Sequence, residues 1–186
     1  MNITVYCGAN LGNSPIYQQA AIRLADWIAQ NGYSLVYGGS KVGLMGLIAD
    51  RVLAQQGKVI GVIPEFLQQR EIAHQGLSEL IVVNNMAERK AKMLELGDAC
   101  IALPGGAGTL EEISEVYSWA RIGKNPNPCI LFNEKGFYDP LKTLFENMVN
   151  AGFLSQSDFS KLLFSADLTE ISEFIAHYQP PVLRTY

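Results

Sequence analysis

"ACIALPGGAGTLEE", residues 99–112, runs an apolar stretch into a proline, three glycines, a threonine and two glutamates. Residues 99–104 show no polar alternation, so both faces of this strand expect cover, as in the middle of a parallel sheet. The glycines suit a tight turn, and helical period follows over roughly 108–122. A buried strand passing through a glycine turn into a helix is half of a βαβ unit.

Other such units flank it. "ITVYCG" (3–8), "SLVYGG" (34–39), "KVIGVIP" (58–64), "ELIVVN" (79–84) and "PCILFN" (128–133) read as strands. Between them, "PIYQQAAIRLADWIAQNG" (15–32), "GLMGLIADRVLAQQG" (43–57), "MAERKAKMLELG" (86–97) and "DPLKTLFENMVNAGF" (139–153) read as helices. Ser14 suits the cap of the first, Pro15 its first turn and Gly32 its end. A closing strand and helix fall within 161–178, and residues 68–77 read as a mobile connection. Strand and helix alternation implies right-handed crossovers. The expected fold is α/β: one Rossmann-like, three-layer α/β/α domain over residues 1–186 with a mostly parallel sheet.

With 186 residues and 48% hydrophobic side chains, the chain can bury a sizeable core. A net charge of −4 argues against broad nucleic-acid or membrane-surface binding, but leaves room for a small phosphorylated ligand. No apolar run is long enough to cross a bilayer, and no basic leader precedes one, so a cytoplasmic setting is expected. Cys7, Cys100 and Cys129 each lie in or beside a strand-like run and form no C-x-x-C pair, which favours buried reduced thiols. His74 and His177 lack a helical histidine partner, so no metal is expected.

Ligands of such folds collect at the carboxyl ends of the strands. Three of those ends carry glycine: "CGANLG" (7–12) with Gly8, "YGGSKVGLMG" (37–46) with Gly38 and Gly39, and "LPGGAGT" (103–109). The spacing is not G-x-G-x-x-G, and no acid follows "VYGG" to meet a ribose, so a dinucleotide site does not fit. No G-K-[ST] follows a glycine run, which removes the P-loop. A mononucleotide or sugar-phosphate site built from backbone amides remains.

Glu112 carries two readings. Thr109-x-x-Glu112 matches a capping box, with Thr109 binding a free amide and Glu112 reaching back. Alternatively, Thr109 meets phosphate while Glu112 faces the ribose. Ile113, Val116, Tyr117 and Ala120 mark the helix's apolar face; Glu111 falls opposite it and is expected to be solvated, whereas Glu112 falls about 90° away, on its border. A carboxylate there could stabilise oxocarbenium charge at C1′ and direct water during N-glycosidic cleavage. In "MAERKAKM", Met86, Ala87, Met93 and Leu94 mark an apolar arc containing Lys90, with Arg89 near its edge. Either cation could be a surface group or could meet phosphate or Glu112.

"PGGAGTLEE" together with "MAERK" resembles the LOG family of cytokinin riboside 5′-monophosphate phosphoribohydrolases. Its pattern P-G-G-x-G-T-x-x-E falls on Pro104, Gly105, Gly106, Gly108, Thr109 and Glu112, behind the Arg89-Lys90 pair. The likeness extends to "VYCGANLGNSP", "LVYGGSKVGLMGLIAD" and "GVIPEFLQQREI", covering residues 1–155. The resemblance implies a homodimer that splits a nucleoside 5′-monophosphate, a cytokinin ribotide or AMP, into free base and ribose 5-phosphate without a cofactor. It implies Arg89 and Glu112 as the catalytic pair. Substrate contacts would come from Glu71, Arg89, Lys90, Gly105, Gly106, Ala107, Gly108, Thr109, Leu110, Glu111, Glu112 and Ser118, with Gly8, Gly38 and Gly39 at the neighbouring strand ends. Ala107 stands where plant members often carry tyrosine, and Ser118 where threonine is usual. "Lysine decarboxylase", an older label for such sequences, finds no support here for pyridoxal-phosphate chemistry. The alternative reading is a non-catalytic nucleotide or molybdopterin-cofactor carrier on a related fold, which would not need Arg89 paired with Glu112.

Overall fold

The computed structural model describes residues 1–70 and 72–183. Seven parallel strands, β1 (Asn2–Tyr6), β2 (Ser34–Tyr37), β3 (Val59–Pro64), β4 (Glu79–Val83), β5 (Ala99–Ala102), β6 (Cys129–Phe132) and β7 (Leu162–Ser165), form one sheet in the order β4-β3-β2-β1-β5-β6-β7. The order reverses between β1 and β5, which pair from Ile3 with Ala99 to Tyr6 with Ala102. Loops leaving neighbouring strands in opposite directions part at such a point and leave a crevice.

Helices α1 (Pro15–Gln30), α2 (Gly43–Ala54), α4 (Met86–Leu96), α5 (Ala107–Ala120), α6 (Asp139–Asn150) and α8 (Leu168–Ala176) occupy the expected segments; short α3 (Glu65–Gln68) and α7 (Gln156–Phe159) add single turns. Strand alternation feeds two cores. Ile3, Val5, Leu35, Ile101 and Phe132 pack under α1, α2 and α8, whereas Tyr6, Val36, Val62, Cys100 and Leu131 pack under α4, α5 and α6. Burial on both faces explains why these strands lack polar alternation. Cys7, Cys100 and Cys129 are free and buried.

Local chemistry sets the helix starts. Ser14 Oγ accepts from Ile16 N at 3.4 Å, with Pro15 in the first turn. At α4, Asn85 Oδ1 accepts from Glu88 N at 2.9 Å, and the Glu88 carboxylate accepts from Asn84 N at 3.0 Å. The described part of the stretch expected to be mobile is docked: Lys41 N donates to Ile72 O at 2.8 Å and His74 N to Gly39 O at 2.9 Å. Those two bonds lay it along the chain between β2 and α2. No helix among the described residues is long and apolar enough to cross a membrane.

Candidate functional site

Where β1 and β5 diverge, a cleft of about 400 Å³ opens at the strand ends. Its floor is the loop after β1, tied across the switch point by Gly8 N donating to Pro104 O at 3.3 Å. On the other side of that loop, Leu44 N donates to Gly8 O at 3.1 Å. Gly43 makes this approach feasible: its φ is +62°, and a Cβ would stand 2.2 Å from the Ala9 carbonyl carbon.

The helix α5 opens onto this cleft. It starts at Ala107, with Gly106 as cap and no capping side chain among the described residues. Leu110 N donating to Gly106 O at 3.1 Å closes its first turn, so the amides of Ala107, Gly108 and Thr109 precede the helical ladder. The capping-box reading of Thr109 and Glu112 is therefore overturned. Thr109 is the third residue of the helix and Glu112 the sixth, too far along to reach back to the cap. The sequence did hold a reciprocal cap, but on α4, where Asn85 Oδ1 accepts from Glu88 N and the Glu88 carboxylate reaches back to Asn84 N. What α5 presents instead is an open N-terminus, where amides and helix dipole favour an anion. Gly106 and Gly108 line the cleft there, and a Cβ on either would meet nothing within 4 Å among the described residues.

One turn further along α5, Glu112 is buried and faces Arg89 of α4, also buried. Arg89 Nη1 lies 3.6 Å from Glu112 Oε1, and Arg89 Nε donates to Val62 O at 3.2 Å. The guanidinium lies across the end of β2, in space that exists because residue 38 is glycine: a Cβ there would fall 1.8 Å from Arg89 Nη2. Burial raises the Glu112 pKa; Arg89 opposes the shift, Glu111 and Glu115 add to it, and Lys90 opposes it again. A carboxylate held this way is desolvated yet beside a cation, a setting suited to stabilising positive charge in a transition state.

The other expected site residues divide. Gly8, Gly105, Gly106, Gly108, Thr109 and Glu111 line the cleft with Arg89 and Glu112. Thr109 is buried, its hydroxyl seated over Gly105, where a Cβ would come within 2.2 Å of Oγ1. Lys90 is turned away: its Nζ bonds Glu111 and lies 2.9 Å from Glu115 Oε2. The bond to Glu111 raises its pKa. The cation buried at the cleft is thus Arg89, at the supposed edge of the apolar arc, while Met86 and Ala87 of that arc are exposed. Helical spacing missed this because the arginine's length carries its charge over the strand ends.

Gly39 supports the fold, packing on Ile63 and Leu80. Ala107 and Leu110 are exposed on the first turns of α5, and Ser118 is exposed two turns beyond the cleft. Glu71 lies outside the described residues. The cleft also takes in Tyr17, Met45, Met86 and Phe137, none of which the sequence reading placed at the site. Cys7 reaches the cleft, but burial raises its thiol pKa, which disfavours a nucleophilic thiolate.

Topology and cleft make this a Rossmann-like α/β protein of the kind that takes its ligand at a switch point in the sheet. Comparisons with known proteins narrow that class. A family model described as "Possible lysine decarboxylase" matches residues 45–175. The cytokinin riboside 5′-monophosphate phosphoribohydrolase of Rhodococcoides fascians is 45% identical over 168 residues, 90% of this chain and 85% of that protein. That of Oryza sativa subsp. japonica, named LOG, is 41% identical over 182 residues, 95% of this chain and 75% of that protein. The chain belongs to this family, the LOG family.

Two solved structures share the fold at low identity. The molybdenum cofactor carrier protein of Chlamydomonas reinhardtii has a TM-score of 0.70 at 21% identity, covering 94% of this chain and 98% of that one. The molybdenum cofactor binding protein of Rippkaea orientalis has a TM-score of 0.69 at 22% identity, covering 94% of each chain.

Proposed function

We propose that this protein hydrolyses the N-glycosidic bond of nucleoside 5′-monophosphates, cytokinin ribotides or AMP, giving free base and ribose 5-phosphate. The observation that carries the reading is the buried Arg89–Glu112 pair, 3.6 Å apart, beside the open N-terminus of α5. The amides of Ala107, Gly108 and Thr109 hold the 5′-phosphate. That places the ribose one helical turn along, against Glu112.

As the bond from C1′ to the base nitrogen breaks, its electron pair leaves with the base and C1′ becomes positive. The Glu112 carboxylate stabilises that charge and orients the water whose oxygen bonds to C1′. Glu112 accepts the water's proton, and the departing base takes up a proton from solvent. Arg89 keeps Glu112 ionised and in place.

The older family label implies a pyridoxal-phosphate lysine, and the residues do not fit one. Lys90 is held by Glu111 and Glu115, with its pKa raised rather than lowered. A Schiff-base lysine needs the opposite.

Incubation with AMP and with isopentenyladenosine monophosphate, followed by chromatography for free base, tests the proposal. Base release supports it. Nucleotide binding without base release replaces it with the carrier reading. We also infer one domain, a homodimer and a cytoplasmic location. One sheet reaching from Asn2 to Ser165 supports the first. An apolar hollow beside Leu94, Trp119, Ile122 and Pro126 supports the second, which light scattering would check. Three buried free thiols suit a reducing compartment.

A further inference from the structure

The reacting atom fixes where a base must lie. The base nitrogen is bonded to C1′, so the ring begins one bond from the atom that Glu112 faces. Its first protein neighbours are therefore the side chains packed around the Arg89–Glu112 pair, and two of those are thioethers. Met86 Sδ lies 3.9 Å from Arg89 Nη1. Met45 Sδ lies 2.9 Å from the point a Gly38 Cβ would occupy, the same point that Arg89 Nη2 approaches to 1.8 Å. Met45 comes from α2 and Met86 opens α4, so two different helices bring their sulfurs to one guanidinium, and both residues line the cleft. The core does not claim Met86: it is 38% exposed, while Met93 and Leu94 fill the inner face of α4.

We propose that Met45 and Met86 clamp the nucleobase and choose it by apolar contact rather than by hydrogen bonds to its edge. This rests on the phosphoribohydrolase reading of the same cleft. Thioethers are polarisable, meet aromatic faces favourably and adapt to rings of different outline. The clamp therefore suits a purine whose edge carries substituents of varied size. The cleft's other apolar wall is Tyr17 against Phe137, edge to face with centroids 5.6 Å apart. That wall is anchored elsewhere. Phe137 packs on Tyr138, whose hydroxyl donates to Leu103 O at 2.7 Å, beyond β5. Arg89 bonds the Val62 carbonyl within β3 and lies over Gly38, just past β2, whereas Tyr138 is tied to the residue following β5; in the sheet, β1 stands between β2 and β5.

The test compares KM for AMP with inhibition constants for adenine and for ribose 5-phosphate. It uses the wild type, Met45→Ala, Met86→Ala, Met86→Leu and Phe137→Ala. Each methionine-to-alanine change is expected to raise the AMP and adenine constants about tenfold. Ribose 5-phosphate should stay within about twofold, and Met86→Leu, which keeps apolar bulk but loses the polarisable sulfur, should raise the AMP and adenine constants by less than Met86→Ala does. The clamp is overturned if AMP and adenine constants do not move, if ribose 5-phosphate weakens as much as adenine, or if Phe137→Ala alone shows the adenine-selective loss. Should the wild type release no base, the hydrolase reading falls by itself. Dissociation constants for AMP and ribose 5-phosphate then decide the clamp by the same pattern: selective loss of AMP supports it, and no selectivity overturns it.

Discussion

Gly38 and Arg89 share one space: Arg89 Nη2 lies 1.8 Å from where a Cβ on residue 38 would stand. The strand-end glycine thus serves the neighbouring helix's arginine. A methyl group at residue 38 would displace only the tips of Arg89 and Met45, so Gly38→Ala should fold normally with the guanidinium pushed out. Misplacing a group by about 1 Å can cost on the order of 10²-fold in rate, and a loss of that size in kcat/KM is expected, close to that of Arg89→Ala. Steady-state kinetics beside a thermal melt checks it; unaltered turnover would remove Arg89 from the chemistry.

Glu112→Gln keeps the shape of the side chain and removes its charge. Turnover should fall about 10²–10⁴-fold while nucleotide binding persists. Because α5 is capped at Gly106, the substitution forfeits no helix cap, and the melting temperature should not drop. Calorimetric binding together with a turnover assay separates the two effects. A variant that melts early and turns over normally would return Glu112 to a structural role.

Burial of the same carboxylate sets a pH signature. Its folded pKa is raised, so below the ordinary glutamate value both states hold the proton and no penalty exists. As pH climbs from that value toward the raised folded one, the unfolded chain ionises first and stability is lost. Denaturant titrations of wild type and Glu112→Gln over about pH 4 to 8 should show this loss in the wild type only. Parallel curves would contradict the assignment. The acid limb of the rate profile should likewise sit above the ordinary glutamate pKa, about 4.3.

Much of this architecture was legible because apolar strands and capped amphipathic helices are local patterns. "ACIALP" reads as buried on both faces, and Ser14-Pro15 marks the start of α1 where it is found. Two parts of the cleft were not legible. The start of α5 slid because Ala107 and Gly108 carry no signal that distinguishes turn from helix, which moved Thr109 from cap to third residue and left the amides open. The places of Gly38, Met45 and Arg89 depend on side chains from three elements meeting above the sheet, which no period within one element encodes.

Outside the cleft, Arg23 of α1 bonds the buried carboxylate of Glu134, which begins the turn leading to Phe137. Removing the arginine leaves a buried charge without its partner. Arg23 is itself 45% exposed, so solvent screens part of the effect, and Arg23→Ala should cost about 1–2 kcal/mol. Arg23→Ala combined with Glu134→Gln should recover part of that loss, since the stranded charge is gone. Urea denaturation of the single and double variants measures the difference; additive losses would show that the pair is not coupled.

The glycines at the mouth of α5 give a test of the phosphate cradle that leaves the fold alone. Gly106 has φ −92° and ψ −159°, extended backbone that any residue adopts, and a Cβ there meets nothing within 4 Å among the described residues. Packing and backbone conformation within the chain therefore do not require glycine. If the amides of α5 grip phosphate, the requirement comes from the ligand, since a methyl group would stand in the cleft where the anion approaches. Gly106→Ala should leave the melting temperature close to that of the wild type, because the gain of about 0.4–1 kcal/mol from a stiffer unfolded chain is offset by alanine's poorer fit to the N-cap position. It should also weaken ribose 5-phosphate inhibition about tenfold, a loss of ~1.4 kcal/mol. Inhibition kinetics against a melt reads both. Unchanged ribose 5-phosphate binding would move the phosphate away from this helix and, with it, the ribose away from Glu112.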